Sequence, residues 1–214
     1  MSGAAHLTLT TDVVPFAIHG ERLEVLLARQ AADWRLPGGP IAAGEELDAA
    51  ARRYLAAQTG LNDVYLEQLY TFAQPKRHAG QRMVTVAYFA LVSTDFPSDD
   101  GAPADRQAHW IAVNELPAQA PDGAEIVTLA HRRLASKLAY STIALQLMTE
   151  HFTLSELQAV HETILGETLD KRNFRKRILA LDCIEQTGAL ERRRGHRPAR
   201  LFRAKRPGQV DFIK

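Results

Sequence analysis

Apolar residues in this chain come first in short runs of strand length, then at helical spacing, then alternating with basic residues. Residues 13–18 and 23–28 are apolar runs split by His19-Gly20-Glu21, the pattern of two strands joined by a hairpin. Pro37-Gly38-Gly39-Pro40 breaks the chain. An Ala- and Leu-rich stretch from about residue 45 to 59 predicts a helix. Its acids Glu45, Glu46 and Asp48 sit where the helix dipole favours negative charge, and Gly60 is its stop. Residues 66–72 and 83–92 read as strands separated by the polar, basic loop QPKRHAGQR, and WIAVNELP at 110–117 reads as strand and turn. Residues 95–106, rich in Pro, Asp, Ser and Gly, read as a surface excursion. Helical spacing returns over 124–148 through Ile126, Leu129, Leu134, Leu138 and Ile143. This divides the chain into domains at 1–148, including a linker helix, and 149–214.

The second domain carries sharper signals. Thr153 and Glu156 form a capping-box signature, Phe152 and Leu157 occupy the staple positions, and Gly166 ends the helix. Asp170 caps a second helix in which Phe174, Ile178 and Leu181, at i, i+4 and i+7, face inward. Lys171, Arg172, Asn173, Arg175 and Lys176 then face outward, with Arg177 at the margin. After Gly188, ALERRR and ARLFRAK flank Gly195-His196-Arg197-Pro198. This predicts a basic hairpin presenting Arg192, Arg193, Arg194, His196, Arg197 and Arg200. Helix, turn, basic helix and basic hairpin is the order of a winged helix-turn-helix. Such a domain lays one helix in the DNA major groove and sets its wing against phosphates.

Charge fits that division. Net charge over 214 residues is +1, but residues 149–214 hold 14 Lys and Arg against 9 Asp and Glu, leaving the first 148 acidic. The split suggests an acidic body joined to a basic, polyanion-facing module. The lone Cys183, in the apolar setting LALDCIEQ, reads as a small buried hydrophobe and fits a cytoplasmic protein. The N-terminus shows no secretion signal, and no window is long and apolar enough to cross a bilayer.

Residues 36–61, LPGGPIAAGEELDAAARRYLAAQTGL, resemble the Nudix box: a Gly-rich turn, Glu45, Arg53 and a closing Gly60-Leu61. The resemblance implies glutamates at positions 54, 57 and 58, which share a helix face at i, i+3 and i+4. There they would hold Mg²⁺, a hard cation that wants charged oxygens. This chain carries Tyr54, Ala57 and Gln58 instead. The expectation is a protein that is no enzyme, with no catalytic residue, no metal site and no required cofactor. Glu45 and Arg53 are then scaffold. A pocket can outlive its chemistry. Trp34 offers either a stacking surface or a core aromatic, and Arg35, Gly38, Gly39, Arg77 and Arg82 are candidate ligand contacts, the arginines through bidentate diphosphate binding. The alternative is an active Nudix ADP-ribose or nucleoside-diphosphate-sugar pyrophosphatase with an atypical metal site.

The two halves together resemble the Nudix-related transcriptional regulators of NAD metabolism, the NrtR family. The resemblance rests on that Gly-rich stretch and on LYTFAQPKRHAGQRMVTVAYFALV, KLAYSTIALQLM, FTLSELQAVHETILGETLDKRNFRKRIL and RRRGHRPARLFRAK. It implies an α/β (α+β) Nudix-like sandwich followed by a C-terminal winged helix-turn-helix domain. It further implies a homodimeric repressor of a palindromic operator in double-stranded DNA, with ADP-ribose or a related NAD-derived nucleotide as effector.

Overall fold

The computed structural model describes residues 7–30, 33–73, 82–96, 107–116, 121–191 and 198–213. Contacts divide the chain into two units. One holds Met1–Phe16, Glu24–Leu91 and Ser98–Ala130; the other holds Ala17–Leu23, Val92–Pro97 and His131–Lys214.

The first unit is built on a seven-stranded mixed sheet. Strands β1 (Leu7–His19) and β2 (Arg22–Gln30) form the predicted hairpin, with Gly20 at positive φ in the turn. β1 pairs in parallel with β6 (Arg82–Leu91), which pairs antiparallel with β5 (Tyr65–Phe72). The central strand is buried without alternation from Val13 to Ala17, as expected of a strand covered on both faces. The short β3 (Asp33–Arg35) and β7 (Ala108–Ala112) both pair with β2, and β4 (Gly38–Pro40) pairs with β1. Helix α1 (Leu47–Thr59) buries Ala50, Ala51 and Leu55, and left-handed Gly60 returns its N–H to the Ala56 carbonyl. The helix starts two residues later than its acids predicted. Of these only Asp48 lies in the first turn, where it accepts a hydrogen bond from the Tyr88 hydroxyl at 2.7 Å.

In the second unit, α3 (Leu154–Leu165) packs with α4 (Lys171–Ala180) and the antiparallel pair β8 (Ile184–Glu191) and β9 (Ala199–Ala204). Phe152 exchanges both backbone hydrogen bonds with Phe202, adding a third strand segment to the pair. The capping box forms as predicted: Thr153 Oγ1 accepts from Glu156 N–H, and Glu156 accepts from Thr153 N–H. Phe152 and Leu157 are both buried at the staple positions. Asp170 caps α4 by accepting from Asn173 N–H at 2.8 Å.

Three predicted boundaries shift. Helix α2 (Pro121–Lys137) stops well short of residue 148. After a turn, a 3-10 segment (Ile143–Leu147) buries Ile143, Ala144 and Leu147 and so prolongs the apolar spacing without prolonging the helix. The C-terminal hairpin begins at Ile184, not after Gly188, because that glycine, at φ 81°, sits in a register shift between Gln186 and Leu190 instead of opening the strand. The division between units falls at 130/131 within α2, whereas the sequence suggested 148/149; residues 131–148 group with the C-terminal unit, where Leu134, Leu138, Ile143 and Leu147 are buried.

Candidate functional site

The Gly-rich turn is held by side chains from the helix face on which the Nudix resemblance calls for metal ligands. Gln58 accepts the Gly38 N–H at 2.9 Å and donates to the Gly38 carbonyl at 3.0 Å, so its amide closes on one backbone residue from both sides. Gln30 donates to the same Gln58 oxygen at 3.4 Å and to the Leu36 carbonyl at 3.3 Å. One turn earlier, Tyr54 donates its hydroxyl to the Pro40 carbonyl at 2.8 Å and lays its ring on Gly39. A β-carbon at Gly39 would lie 2.5 to 2.7 Å from that ring, and one at Gly38 would lie 2.2 Å from the Thr11 carbonyl oxygen. Close approach to backbone requires the glycine at 38, and any side chain at 39 would have to push the Tyr54 ring away.

Glu45 and Arg53 also brace the turn. Because Glu45 precedes the helix, it folds back and takes Arg53 in a two-pronged pair at 2.7 and 2.8 Å. Glu45 also accepts the Ala42 N–H at 3.0 Å. The Arg53 hydrogen bond, then that of Ala42, holds the Glu45 carboxyl down to about 2, and the partnership raises Arg53 in turn. The guanidinium carbon stands 4.2 Å over the Tyr54 ring, which links this pair to the Gly39 contact. The scaffold roles expected of Glu45 and Arg53 are what this geometry provides.

A Mg²⁺ ion does not fit this helix face. Positions 54, 57 and 58 present a phenol, a methyl group and an amide, and both polar groups are already committed to backbone partners. Charged, convergent oxygens are missing. No group of three or more His, Cys, Asp or Glu stands at metal-binding distance among the described residues.

Of the other predicted pocket residues, Trp34 and Arg35 lie on β3, just before this turn in the chain. Trp34, half-buried on β3, is tilted at 47° to His109 with ring centroids 5.7 Å apart. Arg35 is exposed and paired with Asp33 at 3.1 Å. Gly38 is buried with its N–H committed to Gln58, so it frames the turn. Arg77 and the Arg82 side chain lie outside the described residues. Reasoning from sequence missed Tyr54, Gln58 and Gln30 as structural partners of the turn. The box spacing identified the first two as positions without carboxylates, but nothing local to them points to Pro40 or Gly38.

On α4, Phe174 and Ile178 are buried while Lys171, Arg172, Asn173, Arg175, Lys176 and Arg177 are exposed, so the predicted basic face exists. Arg175 reaches Ser155 at the start of α3 at 3.5 Å. Arg200 is exposed on β9 beside Gln186. Further along the hairpin base, Arg203 pairs with Glu185 and Lys205 with Asp182. Arg192, Arg193, Arg194, His196 and Arg197 lie outside the described residues.

Residues 7–130 match the family model of the Nudix domain, and residues 144–204 match that of the NrtR DNA-binding winged helix domain. The ADPR responsive transcriptional repressor NtrR of Acinetobacter baylyi is 32% identical over 204 residues, covering 91% of this chain and 81% of that protein. The chain belongs to the NrtR family. The crystal structure of Shewanella oneidensis NrtR complexed with a 27mer DNA has 34% identity and a TM-score of 0.82, covering 92% of this chain and 93% of that one. The NUDIX domain of the same protein, in a cocrystal structure with ADP ribose, has 31% identity and a TM-score of 0.51 over 60% of this chain and 89% of that one. The NrtR resemblance read from the sequence is therefore borne out, as is the order of a Nudix domain followed by a winged helix domain. In NrtR terms the braced turn belongs to the Nudix domain and the basic α4 is the second helix of the winged helix domain.

Proposed function

We propose that this chain is a transcriptional repressor that binds double-stranded DNA through its winged helix domain and senses ADP-ribose or a related NAD-derived nucleotide through its Nudix domain without hydrolysing it. The observation that carries this is the conversion, in one NrtR-family chain, of the metal face into a brace for the Gly-rich turn. Likeness to a protein solved with DNA, and to that protein's Nudix domain solved with ADP ribose, supports the two binding roles. With Tyr54 and Gln58 occupied, no cofactor is needed to shape the turn. Trp34 is the proposed contact for the base, and Arg35, Arg77 and Arg82 are the proposed contacts for the diphosphate.

The chain acts, in this proposal, as a homodimer on a palindromic operator, with each α4 reading a half-site about one helical turn from the other. Effector shifts the DNA equilibrium only by preferring one arrangement of the dimer over the other. No helix among the described residues is long and apolar enough to cross a membrane, and a DNA regulator of this kind works in the cytoplasm.

The test is a gel shift with the duplex upstream of its own operon, titrated with ADP-ribose and NAD, beside an assay for Mg²⁺-dependent turnover. Duplex affinity that changes with ADP-ribose, with no turnover, is expected; brisk hydrolysis and indifference to DNA would identify a pyrophosphatase instead. Gln58→Leu removes both hydrogen bonds to Gly38. By freeing the turn that the ligand would need in one fixed conformation, it should weaken ADP-ribose binding roughly tenfold, while ligand-free duplex binding stays unchanged.

A further inference from the structure

We propose that Leu179 reads thymine methyl groups in the major groove, as the apolar member of the α4 recognition stripe; this rests on the DNA-binding function above. Leu179 is 51% exposed, one of few large hydrophobic side chains so open among the described residues. Its place on the helix is not arbitrary. Phe174 and Ile178 define the buried side of α4. At about 100° per residue, the direction opposite them passes close to Arg172 and Lys176, and Leu179 falls on that same outward side. Arg172, Arg175, Lys176 and Leu179 follow the spacing i, i+3, i+4 and i+7. Homeodomain recognition helices present their base-reading side chains at that spacing.

The neighbours select the occupant. Lys176 and Arg175 stand three and four residues before Leu179, so whatever covers the leucine also meets two cations. A protein surface packed there would have to desolvate both charges. A polyanion neutralises them. Leucine offers neither donor nor acceptor to a phosphate or a base edge, and its complement in the major groove is the C5-methyl of thymine. The cations draw the stripe to a polyanion, and Leu179 adds an apolar contact to a base that charge alone cannot give.

The experiment uses the full chain and a duplex that it selects from a randomised pool, followed by replacement of each thymine with deoxyuracil, which deletes only the methyl. At one or two positions per half-site the unmodified chain should bind the uracil duplex about fourfold more weakly, the factor that burying one methyl group supplies. Leu179→Ala should bind the thymine duplex more weakly by a similar factor and show no uracil penalty at those positions. Leu179→Met, which keeps an apolar tip, should retain part of the penalty. Uracil penalties that are absent, or equal in the unmodified chain and Leu179→Ala, overturn the proposal. A Leu179→Ala change in self-association with unaltered uracil penalties overturns it in favour of a second copy of this chain as the occupant. Failure to select any duplex removes the DNA-binding function itself, a distinct result.

Discussion

His161 is only 3% exposed, with Nδ1 2.9 Å from the Leu157 carbonyl oxygen and its ring edge-on to Phe174 at 5.0 Å. Burial holds its pKa down to about 4; the Leu157 carbonyl opposes that shift and the charge of Arg177 reinforces it. The folded protein therefore favours neutral imidazole more strongly than the unfolded chain does, whose histidine titrates near ~6.5. Stability is complete above that pH, declines as pH falls from about 6.5 to about 4, and levels off once the folded state also protonates. The full loss is on the order of 3 kcal/mol. Hydrogen exchange of α3 amides, corrected for intrinsic rates, should show protection falling through this window. His161→Gln should flatten the fall; an unchanged profile in that variant would assign the acid sensitivity elsewhere.

Helix α3 was legible from its sequence because its start is signalled locally. Both halves of the Thr153–Glu156 box are present, and Thr153 is 4% exposed. Thr153→Ala should cost about 1–2 kcal/mol in winged helix stability, with Thr153→Ser close to neutral, measured by the same exchange experiment. Equal loss in both variants would mean that packing of the threonine methyl, not the cap, is what matters. Features made by distant partners were less legible. β4 is three residues long and is a strand only because Gly38–Pro40 meets Thr10–Asp12 of β1. Gly188 resembles a strand boundary from its composition, yet the pairing of β8 with β9 absorbs it as an irregularity. The candidate pocket divides the same way. Missing carboxylates at 54, 57 and 58 follow from spacing, whereas the Gln58–Gly38 clasp spans twenty residues. The Glu45–Arg53 pair depends on where the helix begins.

Net charge conceals what the two ends of the chain do. A total of +1 comprises a surplus of base after residue 149 and a surplus of acid before it. Duplex affinity should therefore fall steeply with salt, by about 0.9 in the log–log slope for each phosphate neutralised. Binding measured between 50 and 200 mM salt (about the range over which such effects are resolved) should reveal that slope. Arg172→Gln should flatten it by about 1. A slope near zero would place affinity in contacts other than those of the basic helix.

The ring of Tyr54 on Gly39 also ties those two positions together in any redesign of the loop. A carboxylate at position 54 would strip the Pro40 carbonyl of its hydroxyl partner and leave open the space that the ring now fills against Gly39. A glutamate at 54 or 58 would thus give up a bond that holds the loop, so a cation site could not be assembled on this face one residue at a time without first slackening the turn.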